Sequence, residues 1–428
     1  MRSEGVVLNA SQRFCFPNPK VTSTTKNADN WYRYYAGYSS EFVTYALGTV
    51  APHAKTVLDP WNGTGTTTVV AAGRRLRSFG FDVNPVAVVI ARARLLGSSV
   101  RGSVRALTLD IVGHATPVRL RDDPLLFWFS PDSAAQLRAI ELSIHRLLVD
   151  SADSVGGPLR SAENLSGLAA FFYTALFRTV RALAIPAGGT NPTWWKRPSA
   201  DNKLKVPKRV IRDTFTAIAL DLGEGLHRQA FDLSTSAALA VGDSRRLPLP
   251  DNSIGAVVTS PPYCTRMDYA IATRPELAIL RYGDGELTAL RTSMVGTPTM
   301  TGEDAADDAL GPEASAFLAA VTRHSSQASA GYYRKFYRQY YAAMKSSLTE
   351  IRRVTIPGAP VMLVVQDGYY KELHNDVPAI VADIALHSGF SSSERYDFRI
   401  PRTIAGMNSN ARKYRQESSA VESVVLLQ

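Results

Sequence analysis

The sequence predicts an α/β fold: a doubly wound parallel sheet interrupted after its second strand by a mostly helical insertion. Three observations predict it. Strand, loop and helix alternate over residues 56–96, the βαβα pattern that builds such a sheet. The alternation then stops, and residues 101–235 carry long helical periods, as at 134–149 and 165–185. Strand patterns resume at 237–243 and continue at 255–259, 360–366, 391–400 and 421–427, with helical patterns at 332–354 and 377–388 between them.

Residues 1–29 are polar and turn-rich, which predicts a loosely packed arm. The aromatic segment Trp31-Tyr32-Arg33-Tyr34-Tyr35-Ala36-Gly37-Tyr38-Ser39 leads into a helical pattern at 41–50. The first strand, Thr56-Val57-Leu58-Asp59, opens into Pro60-Trp61-Asn62-Gly63-Thr64-Gly65-Thr66-Thr67. Its two glycines allow close backbone approach to a ligand, and its threonines can cap the next helix. The third glycine of a dinucleotide fingerprint is absent. A second strand ends Phe81-Asp82-Val83-Asn84-Pro85. An acid at a strand end, about 20 residues after a Gly-rich turn, is where α/β folds hold ribose hydroxyls. Asp59, Asp82 and Asp243 all follow apolar strands, whose carboxyl ends face the ligand crevice of an open sheet. The plain alternative is that these acids cap helices.

The strand Ile254-Gly255-Ala256-Val257-Val258-Thr259 opens into Ser260-Pro261-Pro262-Tyr263. Two prolines fix φ twice and remove two donors, leaving nearby carbonyls free to accept. A hydroxyl, free carbonyls and an aromatic ring suit a flat base with an exocyclic amino group. An isolated tetrad of this kind would be read as a turn.

Together these residues resemble the amino-group DNA methyltransferases that use S-adenosylmethionine. Asp59 to Thr66 is similar to the family's D-P-F-x-G-x-G-T cofactor loop, with Trp61 in place of Phe, and Ser260-Pro261-Pro262-Tyr263 is similar to its catalytic loop. The resemblance covers residues 30–100 and 236–428. It implies a Rossmann-like methyltransferase sheet. Cofactor residues would be Asp59, Pro60, Asn62, Gly63, Gly65, Thr66, Asp82 and Asp243. Asp59 and the loop Gly63–Gly65 would approach the methionine part, Asp82 the ribose hydroxyls and Asp243 the adenine amino group. Ser260, Pro261, Pro262 and Tyr263 would carry catalysis on a base extruded from double-stranded DNA, with Tyr263 stacked on it. The Ser form is most typical of cytosine-N4 enzymes, with adenine N6 the alternative. In many Ser-type members the catalytic loop precedes the cofactor loop; here it follows. RNA methylation and a catalytically silent nucleic-acid binder are more distant readings. The resemblance also implies a prokaryotic modification enzyme, with or without a restriction endonuclease encoded nearby. The aromatic segment 31–39 either packs at the cofactor's methionine end or covers the sheet edge.

On this reading residues 30–100 form the cofactor-binding half, 101–235 the insertion and 236–428 the catalytic half. The insertion holds Trp194-Trp195-Lys196-Arg197, then Lys203, Lys205, Lys208 and Arg209. Basic residues interleaved with indoles suit phosphate contacts plus stacking, while a solvated basic face is the ordinary alternative. Arg266, Asp268 and Tyr269 are candidates to line the base pocket. Residues 296–314 and 403–416 are expected to be mobile loops.

Composition agrees. With 428 residues the chain can bury a large core in more than one domain, and 45% hydrophobic content fits a folded chain. A net charge of +10 suits a polyanionic partner. Two cysteines, Cys15 and Cys264, exclude a disulfide framework and a zinc cluster, and make a reducing, cytoplasmic setting the default. Cys264 does not directly follow a proline, as the nucleophile of cytosine-C5 enzymes does, so it is read as a packing residue. His53, His374 and His387 lack metal-ligand spacing, so no metal is expected. The start, Met1-Arg2-Ser3-Glu4-Gly5, lacks an apolar signal core. Residues 169–185 are interrupted by Arg178 and Arg181, which favours a buried or amphipathic helix over a membrane span.

Overall fold

Five parallel strands form the centre of the sheet: β1 (Thr56–Asp59), β2 (Arg77–Asp82), β3 (Ala237–Val241), β4 (Ala256–Thr259) and β5 (Val361–Gln366). A small hairpin, β6 (Gly368–Tyr370) and β7 (Leu373–Asn375), follows β5. The last two strands are β8 (Ser393–Ile400) and β9 (Ala420–Leu427). The computed structural model describes residues 13–20, 31–32, 37–149, 162–187, 194–226, 237–265, 267–299, 310–400 and 420–428. The sheet order is β3-β2-β1-β4-β5-β9-β8, with β9 antiparallel to both neighbours. This is the Rossmann-like, doubly wound α/β class expected. The winding reverses between β1 and β4, and open α/β sheets bind ligands at the strand carboxyl ends beside such a switch point.

Period-two alternation explains both faces of the sheet. Leu58, Val257, Val361, Leu363 and Val365 pack on one face against the helices Arg334–Val354 and Val377–His387. Val57, Val258, Met362 and Val364 face the other side, against Phe42, Leu47 and Ala71. Phe16 joins that second face beside Phe42 and Tyr396, so residues 13–20 of the expected loose arm are docked.

The helix Pro85–Arg94 buries nine of its ten residues, because it lies between two layers. Val88 and Ala91 face Leu239 of β3. Val86, Val89, Ile90 and Ala93 share a core with the insertion helices Arg101–His114, Pro131–Leu148, Gly167–Ala184 and Lys208–Leu226. The insertion is therefore a second helical layer resting on this helix. Trp31 and Tyr32 are buried in the same layer, where the Tyr32 hydroxyl donates to Glu276 at 2.6 Å.

A second helical excursion, between β4 and β5, escaped the sequence reading. It comprises Tyr269–Ala272, Arg274–Ile279, Asp284–Ser293 and Pro312–Arg323. The first two are single short turns, and Pro275, Gly283 and Gly285 disguise the periodicity. Part of the expected 296–314 loop is helical from Pro312; residues 300–309 and the 403–416 segment lie outside the described residues. Arg138 ties the excursion to the insertion. It is 1% exposed and donates to both Asp123 oxygens (2.8 and 3.0 Å), to Glu141 (3.1 Å), and to the carbonyls of Ile279 (2.7 Å) and Ala278 (2.9 Å). Among the described residues no helix is long and apolar enough to cross a membrane.

Candidate active site

A cleft opens at the carboxyl ends of the central strands. Of the residues singled out in the sequence, Pro60, Asn62, Gly63, Thr66, Asp82, Asp243, Ser260, Pro261 and Pro262 line it. Thus the loops after β1, β2, β3 and β4 meet in one place, although about 200 residues separate the first from the last along the chain.

Asp59 does not line the cleft. It is 1% exposed and acts as a hub. Its carboxylate accepts from the Thr259 hydroxyl at 2.5 Å, the Tyr38 hydroxyl at 2.8 Å and the Trp61 amide at 3.2 Å. Burial pushes its pKa up to about 6 against the pull of those donors. Asp59 thereby joins the ends of β1 and β4 to Tyr38, which itself lines the cleft. Gly65 is also outside the lining. It caps the helix Thr66–Gly73 with φ 86°, and an added Cβ would lie 2.8 Å from that of Ala91. A larger side chain at Gly65 thus strains the backbone and the helix packing rather than blocking the ligand.

Asp82 is held at the cleft by two amides, Gly63 at 2.9 Å and Asn84 at 2.8 Å. Burial pushes its pKa up to about 6. Each oxygen keeps a lone pair for a further donor. Asn62 is fixed by the Thr68 hydroxyl at 3.1 Å and packs over Gly80, where a Cβ would lie 2.6 Å from its side chain. Asp243, at the other side, is clasped by Arg245 at 2.6 Å. The indole Nε1 of Trp61, also a lining residue, is enclosed without a hydrogen-bond partner. Among the described residues no Lys or Arg lines the cleft.

After β4, the Ser260 hydroxyl donates to the Val364 carbonyl at 2.8 Å, which fixes the oxygen and leaves its lone pairs to accept. The Pro262 carbonyl already accepts from the Tyr340 hydroxyl at 2.9 Å, which leaves it one lone pair. Tyr263 departs from expectation. It does not line the cleft and is 8% exposed. Its hydroxyl donates to buried Glu422 at 2.5 Å, and the Lys20 ammonium lies 5.1 Å from its ring centroid. The pull of a buried carboxylate on β9 carries no local sequence signal. Cys264 is buried, and burial pushes its thiol pKa well up, which agrees with a packing role.

The basic run of the insertion is divided by the structure. Trp195 is 7% exposed and packs edge-on to Trp128, so it is a core residue and not a stacking platform. Its apolar ring outweighs the charges around it in sequence. Trp194 and Lys196 are exposed, and Arg197 pairs with Asp284 at 2.6 Å. Lys205, Lys208 and Arg209 are exposed and Lys203 is half-buried; none lines the cleft. Arg266 and residues 191–193 lie outside the described residues. Asp268 caps Ile271 and pairs with Arg291, while Tyr269 lines the cleft as expected. Sequence reasoning missed Asn84, Ser244 and the stretch Ser293-Met294-Val295, which also line it. Asn84 sat in the quoted second-strand motif; Ser293 to Val295 carry no signal.

Neither a protein-family model nor a solved structure matches the chain. The chain is similar to the type II methyltransferase M.BsoBI of Geobacillus stearothermophilus, with 24% identity over 308 residues. That alignment covers 65% of this chain and 58% of the relative, so the chain spans little more than half the length of the protein it matches.

Proposed function

We propose that the protein is an S-adenosylmethionine-dependent DNA methyltransferase acting on an exocyclic amine, with cytosine N4 as the first reading. The observation that carries the reading is that Asp82 and Ser260-Pro261-Pro262 share one cleft. Similarity to a type II methyltransferase supports the methyl-transfer class. The resemblance of the two loops supports the amino-group type. The order of the loops, cofactor loop first, keeps adenine N6 as the second reading.

The cleft suits the cofactor. Acidic Asp82, with no basic residue among the described lining residues, favours a cationic ligand, and the orphaned Trp61 indole offers a donor to a carboxylate. When bound, S-adenosylmethionine supplies an electrophilic methyl group on a sulfonium. Asp82 would accept from the ribose hydroxyls and Asp243 from the adenine amino group. Ser260 would accept a hydrogen bond from the target amine, localising a lone pair otherwise delocalised into the ring. Positioning of this kind, without a covalent intermediate, supplies the rate. The base would leave the duplex to reach the cleft. A reducing cytoplasm, and a restriction endonuclease encoded nearby, belong to the same reading.

The cofactor part is tested by pH. A carboxyl whose pKa is raised to about 6 is protonated below that value and accepts fewer hydrogen bonds. Affinity for S-adenosylmethionine should therefore fall as pH drops through about 6, by up to about tenfold per unit below it. Asp59 titrates in the same range, so Asp82→Asn separates the two. In calorimetry this variant should bind weakly at neutral pH and lose most of the pH dependence. A flat wild-type profile, or wild-type affinity in Asp82→Asn, would remove Asp82 from the cofactor site.

A further inference from the structure

We infer that Arg274, with Arg197 and Arg291 around it, forms an anion site beside the cleft that takes one phosphate of the DNA strand. The identity of the anion rests on the function proposed above; the site itself rests on charge and geometry.

Arg274 opens the helix Arg274–Ile279 directly after Thr273, whose hydroxyl accepts from the cleft-lining Asn84 side chain at 2.9 Å. Arg291 stands two residues before the cleft-lining Ser293 on the helix Asp284–Ser293. Two of the three arginines are answered. Arg197 pairs with Asp284 at 2.6 Å, its guanidinium 3.8 Å from the Phe127 ring centroid, and Arg291 pairs with Asp268 at 2.7 Å. Arg274 is not: among the described residues it has no hydrogen bond or ion pair, and its Nε is enclosed without a partner. Burial, then the positive charge of Arg197, lowers its pKa; Asp284 opposes this, Arg291 adds to it and Asp268 opposes it.

A half-buried guanidinium with no hydrogen-bonded acceptor, beside two carboxylates already taken by other arginines, is costly unless an anion completes it. Three arginines against two aspartates leave one positive charge, which matches the single negative charge of a phosphodiester. The guanidinium fork also fits phosphate oxygens bidentately. Exposed Trp194, three residues from Arg197, adds an aromatic face nearby. By contrast Lys205, Lys208 and Arg209 are exposed, and hydration already satisfies them.

The test uses Arg274→Gln and Arg274→Lys in the full chain. Melting temperature is followed against inorganic phosphate at fixed ionic strength, and binding to a short DNA duplex is followed by fluorescence anisotropy at several salt concentrations. Wild type should be stabilised by phosphate, and Arg274→Gln should lose that gain. The glutamine variant should also bind DNA several-fold more weakly, with a salt slope smaller by about 0.9, the value for one phosphate contact. Arg274→Lys should recover most of the slope, which excludes a folding defect. Unchanged phosphate response and salt slope in Arg274→Gln would overturn the site. So would a selective loss of S-adenosylmethionine affinity, which would assign Arg274 to the cofactor carboxylate. If wild type binds neither cofactor nor DNA, the proposed function fails, while the phosphate arm still decides the site.

Discussion

Ser260→Ala is expected to lower the methyl-transfer rate about 10²–10³-fold, the usual cost of removing one oriented polar group at a reacting centre. The hydroxyl is placed by its bond to the Val364 carbonyl, so its acceptor orientation is built into the sheet. Alanine leaves that carbonyl part-buried and without this donor, but it removes nothing that holds Asp82, which is fixed by Gly63 and Asn84. Cofactor affinity should therefore remain near that of wild type. Single-turnover kinetics with saturating DNA separates the two effects. A rate within about threefold of wild type would dismiss Ser260 from catalysis, and a matching loss of cofactor affinity would make its role structural.

The largest expected effect on stability is at Arg138. Removing one partner of a buried ionic network costs about 3–5 kcal/mol, because the remaining charges stay buried and uncompensated. Arg138→Ala would leave Asp123 with neither guanidinium bond and Glu141 with only Arg281 at 3.2 Å and the Tyr173 hydroxyl at 2.8 Å. It would also free the Ile279 and Ala278 carbonyls that close the helix Arg274–Ile279. The urea midpoint should fall accordingly, with loosening of the insertion before the sheet. A loss below about 1 kcal/mol would mean that water or rearranged partners satisfy the two acids.

Much of the fold was legible because it is written in local pattern. The strands at 56–59, 256–259 and 361–366 are short apolar runs ended by acids, glycines or prolines, and the structure keeps them nearly at the expected bounds. The cleft residues that could be read, Pro60, Asn62, Gly63, Thr66, Asp82, Asp243 and Ser260 to Pro262, all sit in short motifs directly after strands. Misreadings came from long-range partners. Tyr263 is held by Glu422, 159 residues away, and by Lys20 of the N-terminal segment. Trp195 sits among charges in sequence yet packs with Trp128 in the core. Asp59 looked like a ligand contact and is a hub, since Tyr38 and Thr259 reach it from distant segments. The arginine cluster could not be read at all, because Arg197, Arg274 and Arg291 meet only once the insertion and the second excursion fold together.

The central claim is the transfer of a methyl group to an exocyclic amine of DNA. The most direct measurement incubates the purified protein with DNA and S-adenosylmethionine carrying an isotopically labelled methyl group, then digests the DNA to nucleosides for mass spectrometry. The account predicts label in N4-methylcytosine, or in N6-methyladenine on the second reading, and about 10²–10³-fold less at early matched times when Ser260→Ala replaces the wild type. Label at carbon 5 of cytosine, or no label in DNA from a protein that binds the cofactor, would contradict it.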